Sequence, residues 1–257
     1  MPEVITLGTA AGDASSERTH ASLLVKVNNN MYQFDAGEGV SSSLERHRIN
    51  HSLIGAIFIT HMHPDHIAGL FMELQAMHLA RRSQPISIYV PSEAKDVLAA
   101  FLNATYLFQE NLGFEMTLRP VIPDPVFRDE NMTVYARANG HLKHYADFVK
   151  NGGYVNKLES FSYVIKTDAA KLVYSGDIGS VADYADLLPG SDLLITEGLH
   201  VDREQLFKAV STNEVSHLVI THLTDEMYRH ADDLRVEAEK FGVANLHIAC
   251  DGFSLRI

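Results

Sequence analysis

Along this 257-residue chain, apolar positions recur with period two in some stretches and at helical spacing in others. "VITLG" at 4–8 reads as a strand closed by glycine. "ASLLVKV" and "MYQFD" flank Asn28, Asn29 and Asn30, which tolerate positive φ, so a hairpin is predicted there. "GEGVSSSLERH" follows as a short helix. "GAIFIT" at 55–60 is almost wholly apolar, the pattern of a strand covered on both faces. From Ile67 the period changes: Ile67, Leu70, Phe71, Leu74 and His78 predict a helix ending near Arg81 and Arg82. "ISIYV" is a further strand, and "SEAKDVLAAFLNATYLFQEN" a helix opened by a serine cap. Residues 115–140 hold two or three strands broken by Pro120, Pro123 and Pro125.

The second half repeats the scheme. Residues 141–160 are polar, carry Gly152 and Gly153, and show weak periodicity, so a long loop is expected, a usual carrier of function. "FSYVIKT" and "KLVYSGD" form a second hairpin. "DLLIT", a helix, "SHLVIT", a helix from about Glu226 to Phe241, "LHIAC" and "FSLRI" complete the chain. Each half is thus a strand meander followed by strand–helix alternation. That predicts an α+β protein with two mixed sheets packed face to face and helices outside.

Composition narrows the function. Lys plus Arg total 21 and Asp plus Glu 33, a net charge of −12, with the basic residues scattered. Such a chain does not advertise affinity for a phosphate backbone. Its single cysteine, Cys250, excludes an internal disulfide and reads as a buried strand residue. No apolar stretch reaches the roughly 18 residues of a membrane span, and no signal-like segment opens the chain. A soluble cytoplasmic protein is expected.

The chemistry concentrates in "ITHMHPDHIAG" at 59–69. With 14 histidines in the chain, random placement of H-x-H-x-D-H gives roughly 0.003 occurrences, so chance is a poor explanation. In an extended segment His61 and His63 face the same side, and Pro64 then turns Asp65 and His66 toward the helix. Neutral imidazoles and a carboxylate suit zinc, and also manganese or iron. Other strand ends offer similar donors: Asp177 between two glycines in "YSGDIG", His222 in "VITHLT", and His141 or His144 in "ANGHLKH". Of the last two, His141 is favoured because it lies nearer the strand.

The series "THMHPDH", "NGH", "SGDIG", "ITH", together with "FDAGEG" and "IACDGFSLRI", resembles the metallo-β-lactamase fold superfamily, in its ribonuclease Z-like branch. The resemblance spans nearly the whole chain. It implies an αββα four-layer sandwich, one hydrolase domain over 1–257, two divalent ions (zinc foremost) and a homodimer. His61, His63 and His141 would hold one ion, Asp65, His66 and His222 the other, with Asp177 bridging. Asp35 in "FDAGEG" would hydrogen-bond a ligand or the loop. A metal-bridging hydroxide would attack the substrate, with Asp65 orienting it and taking its proton. Glu197 or His200 in "ITEGLH" would assist proton transfer to the leaving group.

The chain departs from ribonuclease Z in the short interval between His141 and Asp177, which leaves no room for a transfer-RNA-binding arm. No histidine–serine–threonine loop lies between Asp177 and His222. A phosphodiesterase on a small or nucleotide-like substrate is expected, and transfer RNA is not. The alternatives are a thioester, lactone or β-lactam hydrolase, since the same hydroxide attacks carbonyl carbon, and a metal-stabilised binding protein without catalysis.

Overall fold

The computed structural model describes residues 1–122 and 125–257, and the chain divides into two compact units. The first comprises Met1–Val121 and Cys250–Arg256. Strands β1 (Glu3–Gly8), β2 (Ser22–Val27) and β3 (Asn30–Phe34) form an antiparallel meander, turned at Asn28 with φ 55°. Helix α1 (Val40–Arg46) leads to β4 (Ile54–Phe58), followed by α2 (Pro64–Ile67), α3 (Leu70–Leu79), β5 (Ile86–Val90), α4 (Lys95–Ala104) and β6 (Met116–Pro120). β3 to β6 pair in parallel, and the chain's last strand, Ser254–Arg256, pairs antiparallel with β1, giving a seven-stranded mixed sheet. Leu70, Leu74 and Met77 of α3 and Leu98 and Leu102 of α4 pack with Ile57, Ile86 and Ile88 of the sheet. This is the burial that the helical spacing from Ile67 implies.

The second unit comprises Ile122–Ala249 with Ile257. β7 (Pro125–Arg128) and β8 (Met132–Ala138) are followed by α5 (Ala146–Gly152), β9 (Phe161–Thr167) and β10 (Lys171–Tyr174). β11 (Leu193–Glu197), α6 (Arg203–Thr212), β12 (His217–Thr221), α7 (Asp225–Arg229), α8 (Ala231–Lys240) and β13 (Leu246–Ile248) complete it. β7 to β10 are antiparallel and β10 to β13 parallel, again seven strands in one mixed sheet. Leu206, Phe207 and Val210 of α6 and Leu234 of α8 pack with Leu194, Leu218 and Ile220.

Several elements differ from expectation, each for a local reason. The stretch 141–160 is not all loop: a 3-10 turn at His141–Tyr145 runs into α5. α5 buries none of its residues, so it leaves no amphipathic period in the sequence. The helix expected across 92–111 is only α4; it starts without a side-chain cap and is followed by Tyr106 at φ 64°. The helix expected from Glu226 to Phe241 is broken at His230 into α7 and α8, and Thr224 caps the first by accepting from the Met227 N–H at 3.1 Å. Three strands occupy 115–140; Pro120 ends one and Pro125 begins the next, and Pro123 lies outside the described residues. Cys250 is exposed rather than buried in a strand. β13 ends at Ile248, and the Cys250 carbonyl accepts the Thr6 hydroxyl at 2.6 Å. Among the described residues no helix is long and apolar enough to cross a membrane.

Candidate metal centre

In the first unit the donors follow the C-terminal end of β4. The strand stops at Phe58 because the chain beyond it is claimed by Asp35. The Thr60 backbone N–H donates to Asp35 Oδ1 at 2.7 Å, so it leaves the ladder. His63 is extended at φ −65°, ψ 144°, and Pro64 opens α2 where its missing N–H costs nothing. Backbone bonds then clasp α2 to the "FDAGEG" turn: Ala36 N–H donates to His66 O at 2.8 Å, and Gly69 N–H to Ala36 O at 2.9 Å. The turn needs Asp35 at φ 59°, a left-handed conformation that aspartate tolerates better than most residues.

These contacts set the imidazoles. His66 Nδ1 lies 2.9 Å from Asp35 Oδ2, both fully buried. A carboxylate only accepts, so Nδ1 carries the proton and Nε2 keeps its lone pair. The Thr60 hydroxyl sits 3.0 Å from both Asp35 oxygens and 3.0 Å from His61 Nδ1. It donates to the carboxylate and accepts from His61, so His61 Nε2 is likewise left with its lone pair. His61 and His63 offer ligand atoms within 4.8 Å of each other, as do Asp65 and His66. Buried imidazoles held at the far ring nitrogen, His66 by the Asp35 carboxylate and His61 by the Thr60 hydroxyl bonded to it, are an arrangement suited to a divalent cation. Asp35→Asn is expected to weaken metal binding by about 10- to 100-fold, read by competition with a chromophoric chelator. Unchanged affinity would mean that Asp35 does not tune these ligands.

In the second unit the donors again follow strand ends. β10, β11 and β12 run parallel with Tyr174 opposite Ile195 and Glu197 opposite Thr221. The register brings Asp177, Glu197 and His222 to one edge, where active sites of parallel sheets lie. β8 is antiparallel to β9, which is antiparallel to β10, so Asn139 and His141 emerge at the same edge. Asp177 Oδ2 stands 3.3 Å from His222 Nε2 and 3.7 Å from His141 Nε2, all three residues buried. His144, the other candidate, is exposed; its Nδ1 lies 2.9 Å from the His141 carbonyl oxygen.

A sequence profile described as "Beta-lactamase superfamily domain" matches residues 31–241. The chain belongs to that superfamily. Ribonuclease Z of Pyrococcus furiosus is 24% identical over 86% of this chain and 86% of its own. Ribonuclease Z of Pyrococcus horikoshii is 29% identical over 79% of this chain and 76% of its own. The crystal structure of the short form of human tRNase Z superposes with a TM-score of 0.78, at 22% identity, over 99% of each chain. Two seven-stranded mixed sheets, each with its helices, are thus the fold class expected from the sequence, and the likeness to tRNase Z shows the same fold. The chain is a metal-dependent hydrolase of the superfamily.

In this β-lactamase superfamily chain, Glu197 is buried and its Oε2 accepts the His200 backbone N–H at 2.7 Å. Its other oxygen lies 3.3 Å from His200 Nδ1. The half-exposed His200 ring stands 5.2 Å from the His141 ring and 6.5 Å from that of His222. The neighbouring Tyr184 phenol is pushed up, mainly by burial and further by the charges of Glu197 and Asp183, so it stays protonated.

Four residues that the sequence alone does not single out, Asn139, Gly179, Asp183 and Gln33, brace the donor loops. The Asn139 amide donates to the Asp177 carbonyl at 3.0 Å and its oxygen accepts the His141 N–H at 3.1 Å, joining two donor loops. Asp183 Oδ2 accepts from Gly140, Gly179 and Ser180 N–H groups at 3.1, 2.8 and 3.1 Å, joining the same loops. A Cβ on Gly179 would lie 2.9 Å from the Gly140 carbonyl, so only glycine permits this approach. The spacing Ser180-x-x-Asp183 is a legible cap signal, though not for these partners. In the first unit, Gln33 Nε2 donates to Asp35 O at 3.1 Å and to Glu73 Oε2 at 2.9 Å.

Proposed function

We propose that the chain is a dinuclear phosphodiesterase acting on a small or nucleotide-like substrate, in a single hydrolase domain. The observation that carries the reading is the Asp177 carboxylate, whose one oxygen lies within 3.7 Å of the His141 and His222 Nε2 atoms. A single oxygen facing two imidazoles suits a bridge between two ions better than it suits one. His61, His63 and His141 would hold the first ion, Asp65, His66 and His222 the second, each with Asp177. The all-nitrogen-and-oxygen donor set favours zinc, with manganese or iron as alternatives. The relatives named ribonuclease Z support a phosphodiester bond as the target.

Bound divalent ions lower the pKa of water toward neutrality and take up negative charge on a phosphoryl oxygen. The chain's own residues do the rest. Asp65 orients the attacking water and accepts its proton. His200, held by Glu197 at both its backbone N–H and Nδ1, presents Nε2 to the leaving oxygen and donates a proton. Glu197 is the positioning group, since its carboxylate faces both the backbone N–H and Nδ1 of His200 and fixes the ring's direction. A cytoplasmic homodimer is part of the same reading. The charge of −12 and the short 141–177 interval speak against transfer RNA, but relatives carrying that name match most of the chain, so a transfer-RNA precursor belongs in the substrate panel.

The test is to strip the protein with a chelator and restore zinc or manganese. Turnover of bis(p-nitrophenyl) phosphate is expected to vanish and return as about two ions bind per chain. No turnover with any metal would sink the proposal. Hydrolysis of a thioester or lactone in its place would move the assignment to acyl substrates.

A further inference from the structure

Between α1 and α3, within the first unit, lies a cleft of about 560 Å³. That volume is in the range of small-molecule sites. Its walls are mainly apolar: Leu44 of α1, Ile49, and Met72, Ala76 and Leu79 of α3. Met72 and Leu79 are 55% and 69% exposed, so apolar surface of the wall is open to a ligand. None of the donors proposed for the metal centre lines this cleft.

Its buried polar residue is Glu73, 1% exposed. Gln33 Nε2 donates to Glu73 Oε2 at 2.9 Å and to Asp35 O at 3.1 Å, which pins the carboxylate on one side. The other oxygen, Oε1, is buried with no hydrogen-bond donor among the described residues. Burial pushes the carboxyl up to about 7, the mark of a charge with little compensation. Arg82 does not fill that need. Its guanidinium donates to the carbonyls of His51, Ile54, Gln84 and Pro85 at 2.6 to 3.0 Å. His51, also in the wall, is held below its ordinary value by burial and then by Arg82, so it is a poor source of positive charge.

The wall selects among ligands by charge. It holds two carboxylates, Glu73 and the exposed Glu45, and no lysine or arginine, so it disfavours an anion. Glu45, Glu73 and His51 do not gather closely enough for a metal ion. Among the described residues, the donor groups that do are those of the candidate centre. A neutral apolar ligand would leave Glu73 Oε1 unsatisfied. An ammonium on an aliphatic chain meets both demands, since its N–H groups donate to the carboxylate while its chain covers the apolar wall.

We propose that this cleft binds a primary alkylamine as its cation, with the ammonium on Glu73 and the chain against Leu44, Met72 and Leu79. The binding requires neither metal nor the hydrolase reading.

The experiment titrates the full chain, labelled with carbon-13 at its methionine methyls, with hexylamine at pH 8. There the amine is charged and Glu73 is mostly ionised. The Met72 methyl resonance, assigned with Met72→Leu, is expected to shift to saturation. Hexylamine is expected to bind about tenfold or more tighter than hexanol, which has the same chain and no charge. Glu73→Gln keeps the shape of the side chain and an oxygen for Gln33, and is expected to bring the amine within about twofold of the alcohol. Glu45→Gln is expected to change amine affinity by less than about threefold, because that carboxylate is exposed to water. Equal affinity for amine and alcohol overturns the proposal, as does full amine binding by Glu73→Gln. So does a preference for the amine that Glu45→Gln abolishes, or saturation that leaves the Met72 methyl unmoved.

Discussion

Asp65→Ala is expected to lower kcat/KM for bis(p-nitrophenyl) phosphate by about a thousandfold or more. Asp65 lies in the first turn of α2, half-buried, with Oδ2 3.7 Å from His66 Nε2. The backbone of Gly12 approaches the same carboxylate, since a Cβ there would stand 3.3 Å from Oδ2. A carboxylate so confined has few orientations to lose when it takes a proton. Removal of a positioned proton acceptor costs about 10²- to 10⁴-fold, and loss of an ion's ligand adds to it. Steady-state kinetics with metal analysis separates the two. Asp65→Asn keeps a ligand oxygen but no base, so it is expected to retain more metal than Asp65→Ala and recover little rate. If kcat/KM falls less than tenfold with the metal intact, Asp65 is not the base.

Glu73→Gln should change how stability depends on pH. Glu73 is 1% exposed, and its carboxyl is pushed up to about 7, chiefly by burial, against the opposing effects of the Gln33 hydrogen bond and Arg82. In the folded state the proton is therefore held to higher pH than in the unfolded chain, where the ordinary value is 4.5. Between those two values the unfolded state binds fewer protons, so stability falls as pH rises. Below 4.5 this penalty is absent; by pH 8 it amounts to about 3 kcal/mol. Glutamine keeps an oxygen to accept from Gln33 and never ionises. Urea unfolding at pH 5 and pH 8 is expected to show Glu73→Gln gaining on the parent at the higher pH, by up to about 3 kcal/mol. A gap that is the same at both values would show that Glu73 ionises in the fold without cost.

Much of the candidate site was legible because its signals are local. "HMHPDH" announces donors by residue type, and Pro64 marks the turn from strand to helix. Asp177, Glu197 and His222 could be found because each ends an apolar run that only a covered strand would carry. Asp35 could be expected to hold a ligand or its loop, and it bonds His66 Nδ1 at 2.9 Å. What escaped notice lies far apart in the chain. Gln33 meets Glu73 across 40 residues and Asp183 meets Gly140 across 43, and no period records such pairs. α5 escaped for the opposite reason: a helix with no buried face prints no pattern.

The sequence alone determined the kinds of donor, the strands that end at them and the turns that follow, because side-chain chemistry and backbone preference act within a few residues. The tertiary structure decided the rest. Strand register brought Asp177 and His222 to one edge. Packing set His141 beside the Asp177 carboxylate and left His144 exposed. The Asp35 contact decided which nitrogen of His66 carries its proton. Each of these depends on groups distant in the chain approaching within hydrogen-bonding range, which only the folded chain brings about.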